Sequence, residues 1–568
     1  MRTYKYLLTS MLLVAVLNTS AQTLEDARRA VDAERYQAAK TMLKAMLRSQ
    51  PKAAELYYSL GEAYLKTGYI DSAKNTFAQG IRASKKNPMN YAGLGLADLQ
   101  LGNPSAAKIN FDKAVSYSSR RQYNAYLAIG NGLIAAVKPD FNTTLAYFKK
   151  ADELDKSDKN PQVFLAYGNL FAAQGKFQEA VEQYIKTVDL DPAIQRAKAS
   201  IAETYFRAGN TIKSDSLLTA LLVEDNTYGP AYRLLAEHQL KAYLKDRRDI
   251  KAAGLALDNY RRYLDATDRS FDSRLQYAKL LYELGEFKDL EKELSTLQTM
   301  SAGDRKAPII ARLSGYAAYE NGNYPAALQY LTMMIGGNDD IRQIVADDYV
   351  YLSLTQQQLQ QADAALENAS KAIKLDSSKT AALDQIARTY YGNRNWIKAI
   401  ETYELIKQLG GSPENLGELS LYHGTALYFR YVESFNRQEQ PSLNLLAQAK
   451  TLFDQTIKFS PDLIIAHLWS ARTLSLMEDQ FNIPPGAMVA AYQAYIEASE
   501  KSNLAQTAAT KRNLVEACNA IAAYAFAKSD RDTARLYWSK ALSLDSEDVT
   551  AVAGLKLLSA PTRSGKRK

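Results

Sequence analysis

The most constraining feature of this 568-residue chain is a small residue that returns at a fixed interval. Gly61 and Gly95 are 34 residues apart. Further along the chain, Gly168, Ala202 and Ala236 are again spaced by 34 residues. Most of these positions are followed by a glycine, and then by an alanine and an aromatic residue, at similar offsets. A period of about 20–50 residues indicates one structural unit that stacks on copies of itself, because a single copy cannot bury its apolar side.

The copy around Gly168 is the most complete, and copies around Gly315 and Ala387 also match well. Its defining positions are Tyr167, Gly168, Phe171, Gly175, Phe177, Ala180, Tyr184 and Pro192. This pattern resembles the tetratricopeptide-repeat (TPR) family. That family places Leu-Gly and Tyr in a first helix, Gly at the turn, an aromatic residue and Ala in a second helix, and Pro after it. The resemblance implies that each copy is a helical hairpin.

The repeated positions have a physical role in such a hairpin. A small residue such as Gly61 lets the first helix approach the second, and Ala73 does the same from the other side. Aromatic residues such as Phe77 fill the space toward the next copy. We therefore predict an all-α fold, a right-handed superhelical α-solenoid of TPR hairpins.

The expected organisation has four parts. Residues 1–21 form a signal peptide, 22–547 an array of about thirteen repeats, some irregular, 548–560 a capping helix, and 561–568 a basic disordered tail. Three stretches lengthen the period, at 241–251, 435–442 and 478–486. The last contains two consecutive prolines and is expected to be a loop.

The N-terminus has the composition of an export signal. Arg2 and Lys5 precede a short apolar run, and small residues end at Ala21. This pattern predicts cleavage after Ala21 and a periplasmic product. An uncleaved N-terminal anchor is the alternative. No cysteine follows the apolar run to carry a lipid, and we expect no membrane-spanning segment in the mature chain.

Charge and cysteine content exclude some functions. The formal net charge is +8, but without the six basic residues at the two chain ends it is +2. A body so close to neutral has no overall electrostatic attraction for nucleic acid, so we expect no nucleic-acid partner. The single cysteine, Cys518, permits no intrachain disulfide and no cysteine-based metal cluster.

No residue pattern points to catalysis. His238, His423 and His467 fall in different repeats and have no second ligand at helical spacing. No phosphate-binding glycine loop or nucleophile elbow is present. We expect no catalytic residues, no metal site, no cofactor and no enzyme activity. A site in the irregular region 415–501 is a remaining alternative.

The TPR resemblance implies that first-helix side chains line an inner concave groove. The residues projected there are Tyr58, Glu62, Leu65, Lys66, Leu96, Leu99, Leu165, Asn169, Arg196, Glu203, Phe206, Arg207, Leu383, Arg388 and Tyr391. This mixture of aliphatic, aromatic and charged groups favours a peptide or partner helix over a phosphate. Some of these residues are expected to pack between helices instead.

The resemblance also implies a class of function. We expect a non-catalytic periplasmic protein–protein interaction scaffold that assists an envelope, secretion or outer-membrane complex. Its partners would be proteins or peptides, mainly envelope or secretion components. The alternative is a glycan-binding accessory protein of an outer-membrane uptake system. Against this alternative, the chain lacks both a lipid-bearing cysteine and a large insertion between repeats.

Overall fold

A computed structural model describes residues 23–119, 123–136, 138–155, 159–300, 307–337, 344–409, 416–478, 486–502 and 507–559. All regular secondary structure in these residues is α-helical. The predicted leader (1–21), the tail (561–568) and most of the predicted loop 478–486 lie outside them. The chain divides into two compact units, Met1–Ala317 and Ala318–Lys568, each of which is described separately.

The first unit is a succession of helices that pair in chain order, α1 with α2 through α15 with α16, followed by most of α17. They are α1 (Leu24–Asp32), α2 (Tyr36–Ser49), α3 (Ala54–Lys66), α4 (Ile70–Ala83), α5 (Pro88–Gln100), α6 (Pro104–Tyr117), α7 (Asn124–Ile134), α8 (Phe141–Leu154), α9 (Pro161–Ala173), α10 (Phe177–Leu190), α11 (Gln195–Arg207), α12 (Thr211–Glu224), α13 (Gly229–Lys245), α14 (Ile250–Ala266), α15 (Phe271–Leu284), α16 (Phe287–Thr299) and α17 (Ala307–Glu320).

The second unit starts within α17 and continues the same arrangement, with α19 to α28 pairing in order. Its remaining helices are α18 (Tyr324–Gly336), α19 (Ala346–Gln358), α20 (Ala362–Leu375), α21 (Thr380–Gly392), α22 (Trp396–Gln408), α23 (Leu416–Asn436), α24 (Asn444–Phe459), α25 (Ile465–Met477), α26 (Ala487–Lys501), α27 (Ala508–Ala527), α28 (Arg531–Leu544) and α29 (Val549–Ser559). The predicted all-α solenoid of helical hairpins is confirmed within each unit. The limits of the leader, array, cap and tail stay predictions.

On several second helices an aromatic residue fits against small residues of the first helices. Phe77 on α4 is 1% exposed and lies between Gly61 on α3 and Gly93 on α5. A Cβ atom at either glycine would come within 2.4 Å of the phenyl ring, so only glycine fits. Tyr184 against Gly168 repeats this contact. The glycine and aromatic positions of the repeat are therefore two halves of one packing interaction.

The turn inside most of the described hairpins uses a residue in the left-handed region. Gly68 and Gly102 both have φ of 76°, a conformation that glycine adopts without steric cost. Glu34 occupies the same place in the first hairpin, 34 residues before Gly68, with φ of 59°. This turn closes the first helix and reverses the chain into the second helix.

The first helices of successive hairpins also contact one another, as α3 and α5 do in the first unit and α21 and α23 in the second. When the first helices of successive hairpins contact one another, the hairpins lie closer together on the side of the first helices than on the side of the second helices. The first helices therefore line the inner side of each unit's curve, and the second helices lie outside it.

The extra residues that lengthen some repeats are accommodated mainly by longer helices. The charged stretch 241–251 extends α13 and α14 to 17 residues each, compared with 13 for α11. The stretch 435–442 begins at the C-terminal end of the 21-residue helix α23.

Candidate binding surface

All fifteen residues projected onto the inner groove lie on first helices: α3, α5, α9, α11 and α21. Two of them do not reach the surface. Leu165 is 2% exposed and Leu383 is 0% exposed, so the expectation of groove exposure is wrong for both. Each packs in a hydrophobic cluster with the second helix of its own hairpin, because its position turns inward to the core.

Four further apolar residues of the projected set are half-buried. Tyr58 faces Phe77 at a ring-centroid distance of 6.0 Å. Leu96 and Leu99 pack against the cluster formed by α5, α6 and α7. Leu65 is half-buried, and the neighbouring Lys66 is exposed. The groove of the first unit is thus less apolar than the sequence pattern indicates.

The polar residues of the first unit are mostly engaged with neighbouring helices. The Asn169 amide donates to the Asn131 side chain at 2.9 Å and accepts from the Tyr184 hydroxyl at 2.9 Å. The ring of Phe206 stacks on His238 at 3.6 Å. The contacts of Asn169 with Asn131 and of Phe206 with His238 connect neighbouring hairpins.

The remaining charged groups of the projected set differ in exposure. Glu203 and Arg207 are exposed, and the Arg207 guanidinium lies 5.6 Å from the Phe177 ring. Glu62 pairs with Lys66 at 4.0 Å. Arg196 forms an ion pair at 3.2 Å with Asp32, which lies on the first hairpin of the chain.

The second unit carries a row of half-buried aromatic residues on its first helices. We call this row the aromatic strip; its members are Tyr391, Tyr422, Tyr428, Phe429 and Trp469. Tyr391 meets Tyr422 edge to face at 5.3 Å, and Trp469 contacts both Tyr428 and Phe429 at 5.3 Å. Buried Trp396 contacts Tyr391 and Phe429 and joins the two parts of the strip.

An arginine lies at each end of the aromatic strip. The Arg388 guanidinium lies 4.6 Å from the Tyr422 ring and pairs with Asp384 and Glu418, at 2.9 and 2.8 Å. This arrangement is a cation–π contact that the two carboxylates hold in place.

At the other end, the Arg472 guanidinium lies 4.6 Å from the Trp469 ring. It donates to both carboxylate oxygens of Glu516, at 2.8 and 2.6 Å. Burial alone lowers the pKa of Arg472, but the hydrogen bonds and charge of Glu516 outweigh it and raise that pKa above its ordinary value. The strip is therefore an aromatic surface with an ion-paired guanidinium group at each end.

Of this surface, only Arg388 and Tyr391 were expected from the sequence. The other members lie in the irregular region, where the 34-residue frame is stretched. One signal could have found Tyr428: it stands four residues after Gly424, the same offset as Tyr391 from Ala387. Trp469 and Arg472 lie beyond the stretched segment, so a fixed period does not project them.

The histidines form no shared site. Asp215 contacts Nδ1 of His238 at 2.6 Å, and burial lowers the pKa of His467. Burial, and then Lys407, lowers the pKa of His423 to about 4. In the described ranges no three His, Cys, Asp or Glu side chains are grouped to hold a metal ion. Nor does any helix described there have the length and apolarity needed to cross a bilayer.

Stacked hairpins with a lined inner surface define a helical-repeat protein. The tetratricopeptide-repeat family models match residues 30–97 and 165–211, so the chain contains tetratricopeptide repeats. Proteins built from such repeats are in general non-catalytic scaffolds that bind other proteins or peptides.

Two curated proteins are similar to a large part of the chain. A TPR repeat-containing protein of Methanocaldococcus jannaschii is 23% identical over 382 residues, which are 65% of this chain and 59% of that protein. DnaJ homolog subfamily C member 7 of Homo sapiens is 21% identical over 374 residues, 64% of this chain and 68% of that protein. The chain thus matches less than two thirds of the archaeal relative's length.

The chain is also similar to parts or most of several solved structures. The C-terminal part of a TPR repeat-containing protein from Cytophaga hutchinsonii is 20% identical, with a TM-score of 0.38; the match covers 50% of this chain and 99% of that one. Yeast Tom70 is 13% identical, with a TM-score of 0.32; the match covers 73% of this chain and 98% of that one.

Proposed function

We propose that this protein is a non-catalytic protein-interaction scaffold that holds a segment of a partner protein on the aromatic strip. The observation that carries the proposal is the strip itself: five half-buried aromatic rings on adjacent first helices, with Arg388 and Arg472 at the ends. Tyr, Trp and Arg dominate the energetics of protein interfaces because they bring large contact areas at low entropic cost.

The packing of the rings supports a protein ligand over a glycan. A sugar ring stacks on an open aromatic face. The faces of Tyr422 and Trp469 already carry arginine guanidinium groups, and Phe429 stacks on Trp396. Ring edges and guanidinium donors remain, and these suit backbone carbonyls and apolar side chains of a peptide or helix.

The cellular location is part of the proposal. A basic start, a short apolar run and small residues ending at Ala21 support export, and we place the mature protein in the periplasm of a Gram-negative bacterium. There it would assist an envelope, secretion or outer-membrane complex. A repeat array suits this task because successive hairpins within a unit present a shared surface.

Affinity capture from the native envelope tests the proposal. The tagged full-length protein is expected to enrich a defined partner from detergent extracts. The variant Tyr422→Ser/Tyr428→Ser is expected to lose it. The matched control is Phe459→Ser, since Phe459 is 58% exposed on the second helix α24, outside the curve.

The control is expected to retain the partner, and circular dichroism checks that all three proteins are folded. Recovery without any enriched protein, or equal loss from both variants, would contradict a role for the strip. Fractionation of the native protein with the cytosol would contradict the proposed location. Binding on a glycan array that depends on the aromatic strip would indicate that the ligand of the strip is a glycan and not a protein.

A further inference from the structure

The turn of the first hairpin is held against hairpins about two hundred residues away in the same unit. Glu34, at the tip of this turn, accepts hydrogen bonds from Arg233 Nε and Nη2 on α13, at 3.2 and 2.9 Å. The Tyr263 hydroxyl on α14 donates to the same carboxylate at 2.8 Å. Both oxygens of one carboxylate are thus bound by a guanidinium and a phenol.

A second carboxylate of the turn is bound in the same way. Asp32 pairs with Arg196 Nη1 on α11 at 3.2 Å. The Nε atom of Arg196 is buried without a hydrogen-bond partner among the described groups. Arg35 of the turn pairs in return with Asp268, after α14, at 3.5 Å.

The two arginines that bind the turn also donate hydrogen bonds to other residues near them. Arg233 Nη1 also donates to Glu237 on its own helix at 2.7 Å, and Arg196 donates to Gln162 at 3.3 Å. The guanidinium groups therefore have supports that do not depend on the turn. A site held in this way is preorganised for a carboxylate ligand.

The surface beneath the turn is shaped for close approach of a backbone. Gly229 starts α13, and a Cβ atom there would lie 3.2 Å from the Ala33 carbonyl oxygen. Tyr228, only 2% exposed, lies beside it. Ala33 packs against the cluster around Tyr228. The site thus takes an acidic turn, with its backbone against glycine and its carboxylates on the two arginines.

We propose that Arg196, Arg233 and Tyr263 form a carboxylate-binding site whose resident ligand is the chain's own Asp32–Glu34 turn. An acidic segment of a partner protein competes with the turn for this site. The inference rests on the proposed function, since it names the chemistry of a second partner segment. The hairpin has a core apart from the turn, since Ala27 and Leu43 on α1 and α2 pack with Leu56 and Leu60 on α3.

A variant that frees Arg233 and Tyr263 while keeping the turn conformation is Glu34→Gly. Glycine suits the left-handed φ of 59°, so only the carboxylate is lost. Gln360→Gly is the matched control: Gln360 has φ of 62° at the equivalent turn of α19 and α20. The probe is a capped peptide copying residues 30–37, and its control carries Asn and Gln in place of Asp and Glu.

Fluorescence anisotropy of the labelled probe with the full mature chain gives the result. Because the resident turn reduces the fraction of open sites, we expect Glu34→Gly to bind the probe at least about tenfold tighter than the wild type or Gln360→Gly. Adding Arg233→Gln to Glu34→Gly is expected to remove this gain. The amide probe is expected not to bind.

Equal affinity in wild type and Glu34→Gly, or equal binding of the amide probe, would overturn the inference. Hydrogen exchange of α1 and α2 shows whether Glu34→Gly retains the hairpin. If it does not, Arg233→Gln alone serves, and unchanged exchange at the turn would also overturn the inference. Partner capture through the aromatic strip does not involve this site, so failure of either experiment leaves the other interpretable.

Discussion

The contact of Phe77 with two glycines gives a sharp test of the packing. Phe77 is fully enclosed between Gly61 and Gly93, and a Cβ atom at Gly93 would lie 2.3 Å from the phenyl ring. Truncation of a buried phenylalanine to alanine costs about 3–5 kcal/mol, so Phe77→Ala is expected to destabilise this region by that amount.

The effect of Gly93→Ala depends on whether the ring is present. Alanine stabilises a helix by about 1 kcal/mol relative to glycine, while overpacking costs about 1–3 kcal/mol. In the wild type the two terms sum to a loss of about 0–2 kcal/mol. In the Phe77→Ala background only the helix term remains, so the same substitution is expected to stabilise by about 1 kcal/mol. The effect of Gly93→Ala on stability therefore changes from a loss in the wild type to a gain in the Phe77→Ala background.

Hydrogen exchange resolved to peptides from α4 and α5 is the appropriate assay, because repeat arrays open locally and do not unfold in one step. The wild type, Phe77→Ala, Gly93→Ala and the double variant form a double-mutant cycle, which gives the coupling energy between the two positions directly. Equal effects of Gly93→Ala in both backgrounds would refute the reasoning, because they would mean that the ring and the glycine do not share one space.

Three other outcomes follow from the side-chain environments. Burial keeps His423 neutral, with its pKa lowered from 6.5 to about 4. The pKa of His423 is lower in the folded than in the unfolded state, so the free energy of unfolding falls as pH drops from 6.5 toward 4, by about 2 kcal/mol near pH 5. Urea unfolding should show this loss, and His423→Gln should make stability less dependent on pH. Burial raises the pKa of Cys518 to about 11, so iodoacetamide at pH 8 should label it only after denaturation, as read by mass spectrometry. Arg472→Lys removes the two-point pairing with Glu516 and should increase exchange in α25 and α27. Arg437→Lys, at an exposed ion pair with Glu433 at the C-terminal end of α23, should change exchange little.

The sequence predicts local structure well because its signals are local. The spacing of Gly168 and Tyr184 reports a contact within one hairpin, and the structure shows that contact. Leu165 has the wrong predicted environment because periodicity gives the helix face only within about one residue. A rotation of that size moves a side chain from the groove to the core.

Contacts between distant hairpins could not be predicted from the sequence. Glu34 meets Arg233 across 199 residues, and that distance depends on the small rotation added by each intervening hairpin. No local pattern encodes the sum of these rotations. The aromatic strip was mostly missed for a related reason, since the stretched hairpin at α23 breaks the frame used to project Trp469.

Site-specific photocrosslinking in the native host tests most directly whether the inner surface holds a partner. A benzophenone amino acid is placed at Tyr422, on the aromatic strip, or at Leu536, which is 63% exposed on the second helix α28. The account predicts a covalent adduct with a defined protein from position 422 and none from position 536. Adducts from position 536 alone, or none from either position, would contradict it.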